Sequence, residues 1–203
     1  MICLFKVNFK TLGLGVSNQK KIRIFYSLIF FVLVSCDSSK IPKQNAFFAP
    51  QFKLPTYNLT ATDCNYVFSK NKIARIEYID NCNFNIIYDN LNAKIFFSSI
   101  NLNNNFPEIS KIFDERIIEN SSSASHVKVS EYEDSKISVY SRMFNYVGNT
   151  PSNVQFYLTD SISNFLAGSL FFNIEPNYDS LLPYINYIKT DIRKLIENFQ
   201  WNK

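Results

Sequence analysis

Three closely spaced apolar segments, the first two with a two-residue period, limit the fold of this chain more than any other feature. They cover residues 137–147, 154–159 and 165–174, and only short polar stretches at 147–152 and 160–164 separate them. Segments of this kind between turn residues predict strands. A parallel crossover needs a dozen or more residues, so the short spacing predicts antiparallel hairpins.

Further strands are predicted upstream, between Cys64 and Ile100. Asp89 and Asn90 supply turn residues between two of these strands, and Ala93–Ile100 follows as another. The alternating apolar positions before that turn are Cys64, Tyr66, Phe68, Ala74, Ile76, Tyr78, Phe84, Ile86 and Tyr88.

Two segments have a helical period instead. Residues 107–119 begin with Pro107, which the first turn of a helix tolerates well. The predicted apolar face of this helix is Ile109, Ile112, Phe113, Arg116 and Ile117. Near the C-terminus, apolar residues recur every three or four positions at Leu181, Ile185, Ile188, Ile192, Leu195 and Phe199, and Asp179 or Ser180 is expected to cap the start of that helix.

The order of these elements is strands, helix, three strands and helix. It predicts an α+β fold in which two helices pack on an antiparallel sheet. This order is similar to the topology of PsbP-like domains.

An apolar run of eleven residues, Ile24–Val34, follows three cationic residues at 20, 21 and 23. The run is shorter than the about 20 residues that a membrane-spanning helix needs, but it fits the hydrophobic segment of a signal peptide. It ends in Leu33-Val34-Ser35-Cys36, which resembles the lipobox of bacterial lipoproteins. The resemblance implies cleavage before Cys36 and membrane attachment through acyl chains on Cys36. A plain signal peptide with a chance cysteine and an uncleaved signal anchor stay open as alternatives.

The chain therefore divides into a signal peptide at 1–35, a tether at 36–60 and a single α+β domain at 61–203. Prolines and polar residues dominate the tether, whereas Phe47, Phe48 and Phe52 suggest that its far half packs against the domain. Asp37 directly follows the anchor. An acidic residue there retains some lipoproteins in the inner membrane, and the choice between inner and outer membrane stays open.

The charge of the mature chain argues against nucleic acid as a partner. Five of the 21 Lys and Arg residues precede Cys36, so 16 remain against 17 Asp and Glu. The mature chain therefore lacks the basic surface that nucleic-acid binding requires. Cys64 and Cys82 form an even pair in an exported, oxidising setting, which allows either a disulfide or two buried thiols.

Few residue patterns point to catalysis. His126, the only histidine, has no nearby nucleophile in a triad pattern, and together with Lys128 it could instead bind a partner carboxylate. Asp160 and Asp179 could work as an acid and a base, but a hairpin turn and a helix cap explain them better. No metal-ligand cluster or phosphate-binding glycine loop is present in the sequence, so we expect neither an enzyme nor a cofactor.

Three stretches of the C-terminal half carry a family resemblance: FYLTDS (156–161), FLAGSLFF (165–172) and EPNYDSLLPYINYIKTDIRKLIENFQW (175–201). Together with CNYVF (64–68), they resemble the gliding motility lipoprotein GldD family of the Bacteroidetes. The lysine of a His-x-x-Lys segment of the family comes one position early here, at Lys128. The motif residues to which no role is assigned are Thr159, Asp160, Ser161, Gly168, Pro176, Asn177, Tyr178, Asp179, Ser180, Asp191 and Arg193.

This resemblance implies a non-enzymatic envelope protein that works with the gliding motility and type IX secretion machinery through protein–protein contacts. It places the domain on the periplasmic side of a membrane. A small-ligand-binding lipoprotein of PsbP-like type is the main alternative, and it requires a deep apolar pocket with convergent polar groups. An envelope hydrolase would require Asp160, Asp179 or His126 to come within hydrogen-bond reach of one another.

Overall fold

The computed structural model describes residues 50–64, 66–80 and 82–202, together with Arg23. Within that part of the chain the strands are β1 (Tyr57–Ala61), β2 (Tyr66–Asn71), β3 (Arg75–Asp80), β4 (Asn83–Tyr88), β5 (Ala93–Asn101), β6 (His126–Asp134), β7 (Val139–Val147), β8 (Val154–Thr159), β9 (Asn164–Phe172) and β10 (Gln200–Trp201). The helices are α1 (Phe106–Ser121) and α2 (Tyr178–Glu197), and a 3₁₀ turn covers Asp89–Leu91. Cys36, Asp37, residues 38–49 of the predicted tether and, apart from Arg23, the predicted signal peptide lie outside the described residues.

The described strands form two sheets, and every strand pair in them is antiparallel. The larger sheet has seven strands in the order β3-β4-β5-β9-β8-β7-β6, and the smaller has the order β1-β2-β10. The predicted α+β class with an antiparallel sheet and two helices is therefore confirmed. The division into two sheets was not predicted, because it depends on β2 pairing with the last strand of the chain.

Pairing between β5 and β9 joins the two halves of the chain. The register runs from Ala93 opposite Phe172 to Asn101 opposite Asn164. Side chains on a strand point alternately to the two faces of its sheet. Leu166 and Leu170 of β9 accordingly join one buried cluster, whereas Phe165 and Ala167 join another.

The larger apolar cluster lies between the seven-stranded sheet, α2 and the small sheet. Its centre is a stack of rings in which Phe68 of β2 lies 5.6 Å from Phe84 of β4, and Phe84 lies 4.4 Å from Phe97 of β5. The predicted apolar stripe of α2 forms the other side of this cluster. The free energy of burying this stripe holds α2 on the sheet, because helices this long gain most of their stability from packing.

Helix α1 covers the opposite face of the sheet, over strands β7, β8 and β9. Phe113 lies 5.3 Å edge-on from Tyr157 and 5.9 Å from Phe165. The predicted face of this helix was partly wrong. Ile112 is exposed and so is Arg116, whereas Phe113, Ile117 and Asn120 are buried, because the contact stripe is rotated by about one residue from the predicted one.

Strand β6 is the main element that the sequence did not predict, so four strands lie between the helices instead of three. Most β6 side chains are exposed or half-exposed on both faces, and their pattern has no clean apolar period. The strand predicted from Ile137 begins at Val139, and Ile137 is an exposed turn residue. At the other end of the domain, β1 occupies residues that the sequence assigned to the tether.

The predicted cap of α2 was also wrong. Asn177 is the N-cap, and its side-chain oxygen accepts a hydrogen bond from the Ser180 backbone N–H at 3.3 Å. Asp179 and Ser180 lie in the first turn of the helix. The Asp179 carboxylate still interacts favourably with the positive end of the helix dipole. The helix ends at Glu197, and Phe199, predicted as its last apolar position, is buried between α2 and β10.

Candidate functional site

A buried carboxylate in the middle of α2 is the most unusual group of the domain. The side chain of Asp191 is only 4 % exposed. Its Oδ1 accepts a hydrogen bond from the Tyr57 hydroxyl at 2.7 Å, and its Oδ2 accepts from Asn71 Nδ2 at 2.9 Å and from the Tyr88 hydroxyl at 3.0 Å. We call Asp191 and these three donors the Asp191 cluster, and it links β1, β2, β4 and α2.

The electrostatics of the Asp191 cluster are dominated by the burial of the carboxylate. Among the described residues, no lysine or arginine forms an ion pair with Asp191. Burial raises the pKa of Asp191 and outweighs the three hydrogen bonds, which lower it. Burial, together with the Asp191 charge and hydrogen bonds, raises the pKa of Tyr57 and Tyr88 above the usual tyrosine value. Both hydroxyls therefore stay protonated and act as donors.

The segment before β1 lies against the exposed edge of the same helix. Asn71 Nδ2 also donates to the Tyr187 hydroxyl at 3.0 Å, and that hydroxyl donates to the Lys53 carbonyl at 3.2 Å. The ring of Phe52 stacks on Tyr187 with centroids 4.6 Å apart and meets Tyr184 edge-on at 5.5 Å. This part of the predicted tether is therefore packed on the domain.

Two adjoining clefts lie beside these aromatic residues, and we call them together the α2 groove. The first has a volume of about 360 Å³ and is lined by Asn90, Leu91, Asn92, Ile174, Ser180, Leu181 and Tyr184. The second has a volume of about 300 Å³ and shares Asn90, Leu91 and Tyr184 with the first. Both clefts are open to solvent on one side. They differ from the deep apolar pocket that a PsbP-like ligand-binding protein requires.

The family model of the gliding motility lipoprotein GldD matches residues 37–201 of this chain. The chain belongs to the GldD family. It is therefore a lipoprotein associated with gliding motility and with the cell envelope. Comparisons with curated proteins and with solved structures found no match, and the PsbP-like topology stays a prediction. Neither helix in the described part of the chain has the length and apolarity needed to cross a membrane.

Among the GldD-family motif residues, Thr159, Asp160 and Ser161 form the turn between β8 and β9. Asp160 Oδ1 accepts hydrogen bonds from three backbone N–H groups, those of residues 162–164, at 2.8–2.9 Å, and its Oδ2 accepts one from Asn164 Nδ2 at 2.7 Å. The Thr159 hydroxyl donates to the Asn164 carbonyl at 2.7 Å. Ser161 has a positive φ of 65°. The turn predicted at these positions is present, and it engages both carboxylate oxygens of Asp160.

The GldD-family residues at the start of α2 lie at the opposite end of β8. The backbone N–H of Tyr178 donates to the Asn149 side chain at 2.8 Å, and Asn149 belongs to the turn that precedes β8. Asp179 and Asp160 are therefore separated by the length of β8. No hydrogen bond or ion pair joins Asp160, Asp179 and His126 in the part of the chain that the structure describes, so the hydrolase arrangement receives no support.

The remaining GldD-family positions have different environments. Gly168 is buried on β9 beneath the ring of Phe156, whereas Pro176 is exposed just before α2. Arg193 is exposed on α2, and neither it nor Lys128 forms an ion pair with another described residue.

The sulfur atoms of Cys64 and Cys82 are bonded in the structure, and their Cα atoms lie 5.8 Å apart. Cys36 lies outside the described residues.

Sequence reasoning singled out Asp191 in this GldD-family chain but missed its donors Tyr57, Asn71 and Tyr88. It also missed Tyr187, which accepts a hydrogen bond from Asn71. One feature of the sequence could have indicated that Asp191 is buried among partners from other elements. Asp191 lies three positions after Ile188 and one before Ile192, inside the apolar stripe of α2. A carboxylate at such a position needs hydrogen-bond donors from other elements, because burying it without them costs several kcal/mol. Groups of three or more side chains suited to hold a metal ion are absent from the described residues.

Proposed function

We propose that this GldD-family lipoprotein is an accessory protein of the gliding motility and type IX secretion machinery and acts through contacts with other envelope proteins. Acyl chains on Cys36 anchor it to a membrane with its domain on the periplasmic side. The observation that carries the proposal is the family match over residues 37–201. Because that match includes the whole α+β body, the family role applies to the domain and not to the anchor alone.

The chemistry of the buried polar groups supports a binding role over an enzymatic one. An acid–base pair needs carboxylates that can reach a substrate. Asp160 is held by the hydrogen bonds of its own turn, and the Asp191 carboxylate is buried among three donors. Both carboxylates are engaged by hydrogen bonds within the fold, which leaves them little freedom to exchange protons with a substrate.

The α2 groove favours the second candidate, a small-ligand-binding lipoprotein, only weakly. Its volumes of about 360 and 300 Å³ lie at the low end of ligand pockets, which span roughly 300–1,000 Å³. Ligand pockets also enclose most of the ligand surface, whereas both parts of this groove are open. Protein–protein contact therefore remains the better supported mode of action.

The anchor is tested by fractionating cells that express full-length wild type, Cys36→Ala or Cys3→Ala. We expect wild type and Cys3→Ala in the membrane fraction, because Cys3 is removed with the leader. The Cys36→Ala protein should leave the membrane fraction or accumulate with its leader uncleaved. Mass spectrometry of the wild-type N-terminus should find an acylated Cys36. Processed Cys36→Ala protein that stays fully in the membrane would overturn the anchor.

The role in the machinery is tested by deletion and complementation in the source bacterium. Deletion should abolish secretion of the surface adhesins that the machinery exports, and wild type should restore it. Cross-linking of the anchored protein, followed by purification, should recover components of the gliding or secretion machinery. Normal gliding and normal secretion in the deletion strain would contradict the proposal.

A further inference from the structure

Strand β6 forms one edge of the seven-stranded sheet and is unusually open to pairing. It is nine residues long, and its register with β7 is regular from His126 opposite Val147 to Asp134 opposite Val139. Among the described residues β7 is its single partner strand. The other edge strand, β3, has six residues and a register shift between Tyr78 and Asp80. Short and irregular edges resist further pairing, whereas a long regular edge can accept another strand.

The charges along β6 are arranged in two halves. The first half carries His126 and Lys128, and the second carries Glu131, Glu133 and Asp134. All of these side chains are exposed except that of Asp134, which is half-buried. The edge therefore has a basic end and an acidic end.

Helix α2 strengthens the basic end of β6. The Lys189 amine of α2 lies near both Arg193 of the same helix and Lys128 of β6. Burial and the nearby charges of Arg193 and Lys128 lower the pKa of the Lys189 amine. Within the described residues, neither Lys128 nor Arg193 has an acidic partner. At the acidic end, Glu131 pairs with Arg142 at 2.9 Å, and neither Glu133 nor Asp134 forms an ion pair with another residue that the structure describes. Uncompensated charge of both signs therefore lies along one strand.

We propose that two copies of this protein associate by antiparallel pairing of their β6 strands, with the twofold axis at Ser130. This arrangement places His126 opposite Asp134 of the second copy, and Lys128 opposite Tyr132. Lys128 also becomes a diagonal neighbour of the second copy's Asp134, on the same face of the sheet. The two seven-stranded sheets would join into one continuous sheet across the interface.

The charge pattern favours a second copy over an unrelated strand. Antiparallel pairing about a twofold axis sets the first half of β6 against the second half of its copy, so each basic end meets an acidic end. A register shifted by two residues toward the acidic end would place Glu131 of one copy directly opposite Glu131 of the other. Two like charges in opposite positions destabilise a strand pair. The register centred on Ser130 pairs all nine residues and avoids that contact. It also covers Val129, which is 47 % exposed.

This inference goes beyond the proposed function and does not depend on it. A dimer could form whether or not the protein serves the gliding machinery, and membership of the machinery does not require a dimer. The experiment below measures pairing alone, so its failure would leave the proposed function in place.

The decisive test is cysteine cross-linking of the full-length protein in its native membranes. A cysteine at position 130 would face its own copy across the twofold axis. Opposite Cα atoms in an antiparallel pair lie about 4.5–5.5 Å apart, which is within the range of a disulfide. The matched control is Ser135→Cys, because residue 135 would lie roughly 33 Å from its own copy at 3.3 Å per residue.

On a non-reducing gel, Ser130→Cys should give a dimer band that disappears on reduction. We expect this band to be at least roughly fivefold stronger than in Ser135→Cys or in wild type, which reports the background from the native cysteines. Equal dimer formation in Ser130→Cys and Ser135→Cys would overturn the proposal.

A charge exchange tests the electrostatic argument in the same Ser130→Cys background. Lys128→Glu should reduce the dimer band by roughly fivefold, because it places two carboxylates next to each other in each symmetric half of the interface. Combining Lys128→Glu with Asp134→Lys should restore it. Lys128 is exposed and Asp134 is half-buried on an edge strand, so the fold is expected to persist. An undiminished band in Lys128→Glu would contradict the proposed pairing.

Discussion

The ring of Phe156 lies over Gly168 of the neighbouring strand, in the space where any other residue would place its Cβ atom. A Cβ atom at Gly168 would come closer than 3.0 Å to three ring carbons of Phe156. The two residues are register partners in β8 and β9, and the ring meets Phe97 edge-on at 5.6 Å. Gly168 is therefore required by side-chain packing and not by a turn.

We predict that Gly168→Ala destabilises the protein by about 1–3 kcal/mol, because the methyl group forces the buried ring out of its position. The free energy of unfolding, measured with a chemical denaturant, checks this. Ser169→Ala is the matched control, since Ser169 lies next in the same strand with its side chain on the opposite face. It should change stability by less than about 0.5 kcal/mol. Equal effects of the two substitutions would contradict the packing argument.

The Asp191 cluster leads to a second prediction. Tyr88→Phe removes one of the two hydrogen-bond donors to Asp191 Oδ2. The remaining hydrogen bonds then offset less of the free-energy cost of burying the carboxylate. We expect a loss of about 1.5–3 kcal/mol at neutral pH, the range for hydrogen bonds to charged groups. Tyr184→Phe is the control, because no hydrogen bond of the Tyr184 hydroxyl is found within the described residues. Denaturation of both variants should separate them clearly, and similar stabilities would argue against a structural role for the cluster.

The raised pKa of Asp191 predicts how stability depends on pH. The folded protein holds the proton of the Asp191 carboxyl group more tightly than the unfolded chain does. The stability that Asp191 contributes is therefore fully present below the unfolded pKa of about 3.9. It is lost as pH rises through the raised folded value. The stability of wild type relative to Asp191→Asn should therefore fall as pH increases across that interval. A difference that grows with pH would show that the pKa is not raised.

Asp160 should show the opposite pH dependence. Burial would raise its pKa, but three backbone N–H groups and the Asn164 amide together lower it below the usual value. Its contribution to stability is full above the unfolded pKa of about 3.9 and is lost as pH falls through the lowered folded value. Wild type should thus lose its advantage over Asp160→Asn in acid. Parallel pH profiles for the two variants would refute the assignment of Asp160 to the turn.

The pairing of Cys64 with Cys82 makes a fifth prediction. Peptide mapping of the exported protein without reductant should find these two residues linked. The bond closes a loop with a sequence separation of 18, and such a loop is worth about 3 kcal/mol in the chain-entropy description. The double variant Cys64→Ser, Cys82→Ser should lose roughly that stability. Free thiols at both positions in the exported protein would contradict the prediction.

Local sequence patterns predicted those parts of the fold whose burial repeats at short range. The apolar stripe of α2 from Leu181 to Leu195 faces one core, so its helical period was clear. Strands β8 and β9 are buried on both faces, and their apolar residues between turn segments still predicted strands. The Asp160 turn was predictable because its hydrogen bonds are made within five residues of chain. Strand β6 gave no comparable signal, because an edge strand with two exposed faces has no side on which apolar residues must collect.

The Asp191 cluster and the contact between Phe156 and Gly168 bring together residues that are not neighbours in the sequence. The family resemblance singled out Asp191 without assigning it a role, and its donors Tyr57, Asn71 and Tyr88 lie 134, 120 and 103 residues away. Likewise, nothing near Gly168 in sequence indicates that Phe156 occupies its face. Short-range periodicity was thus enough to establish an antiparallel α+β body. Only the packing of strands and helices from distant segments established which polar groups share a buried site, because a hydrogen bond between such segments leaves no repeat along the chain.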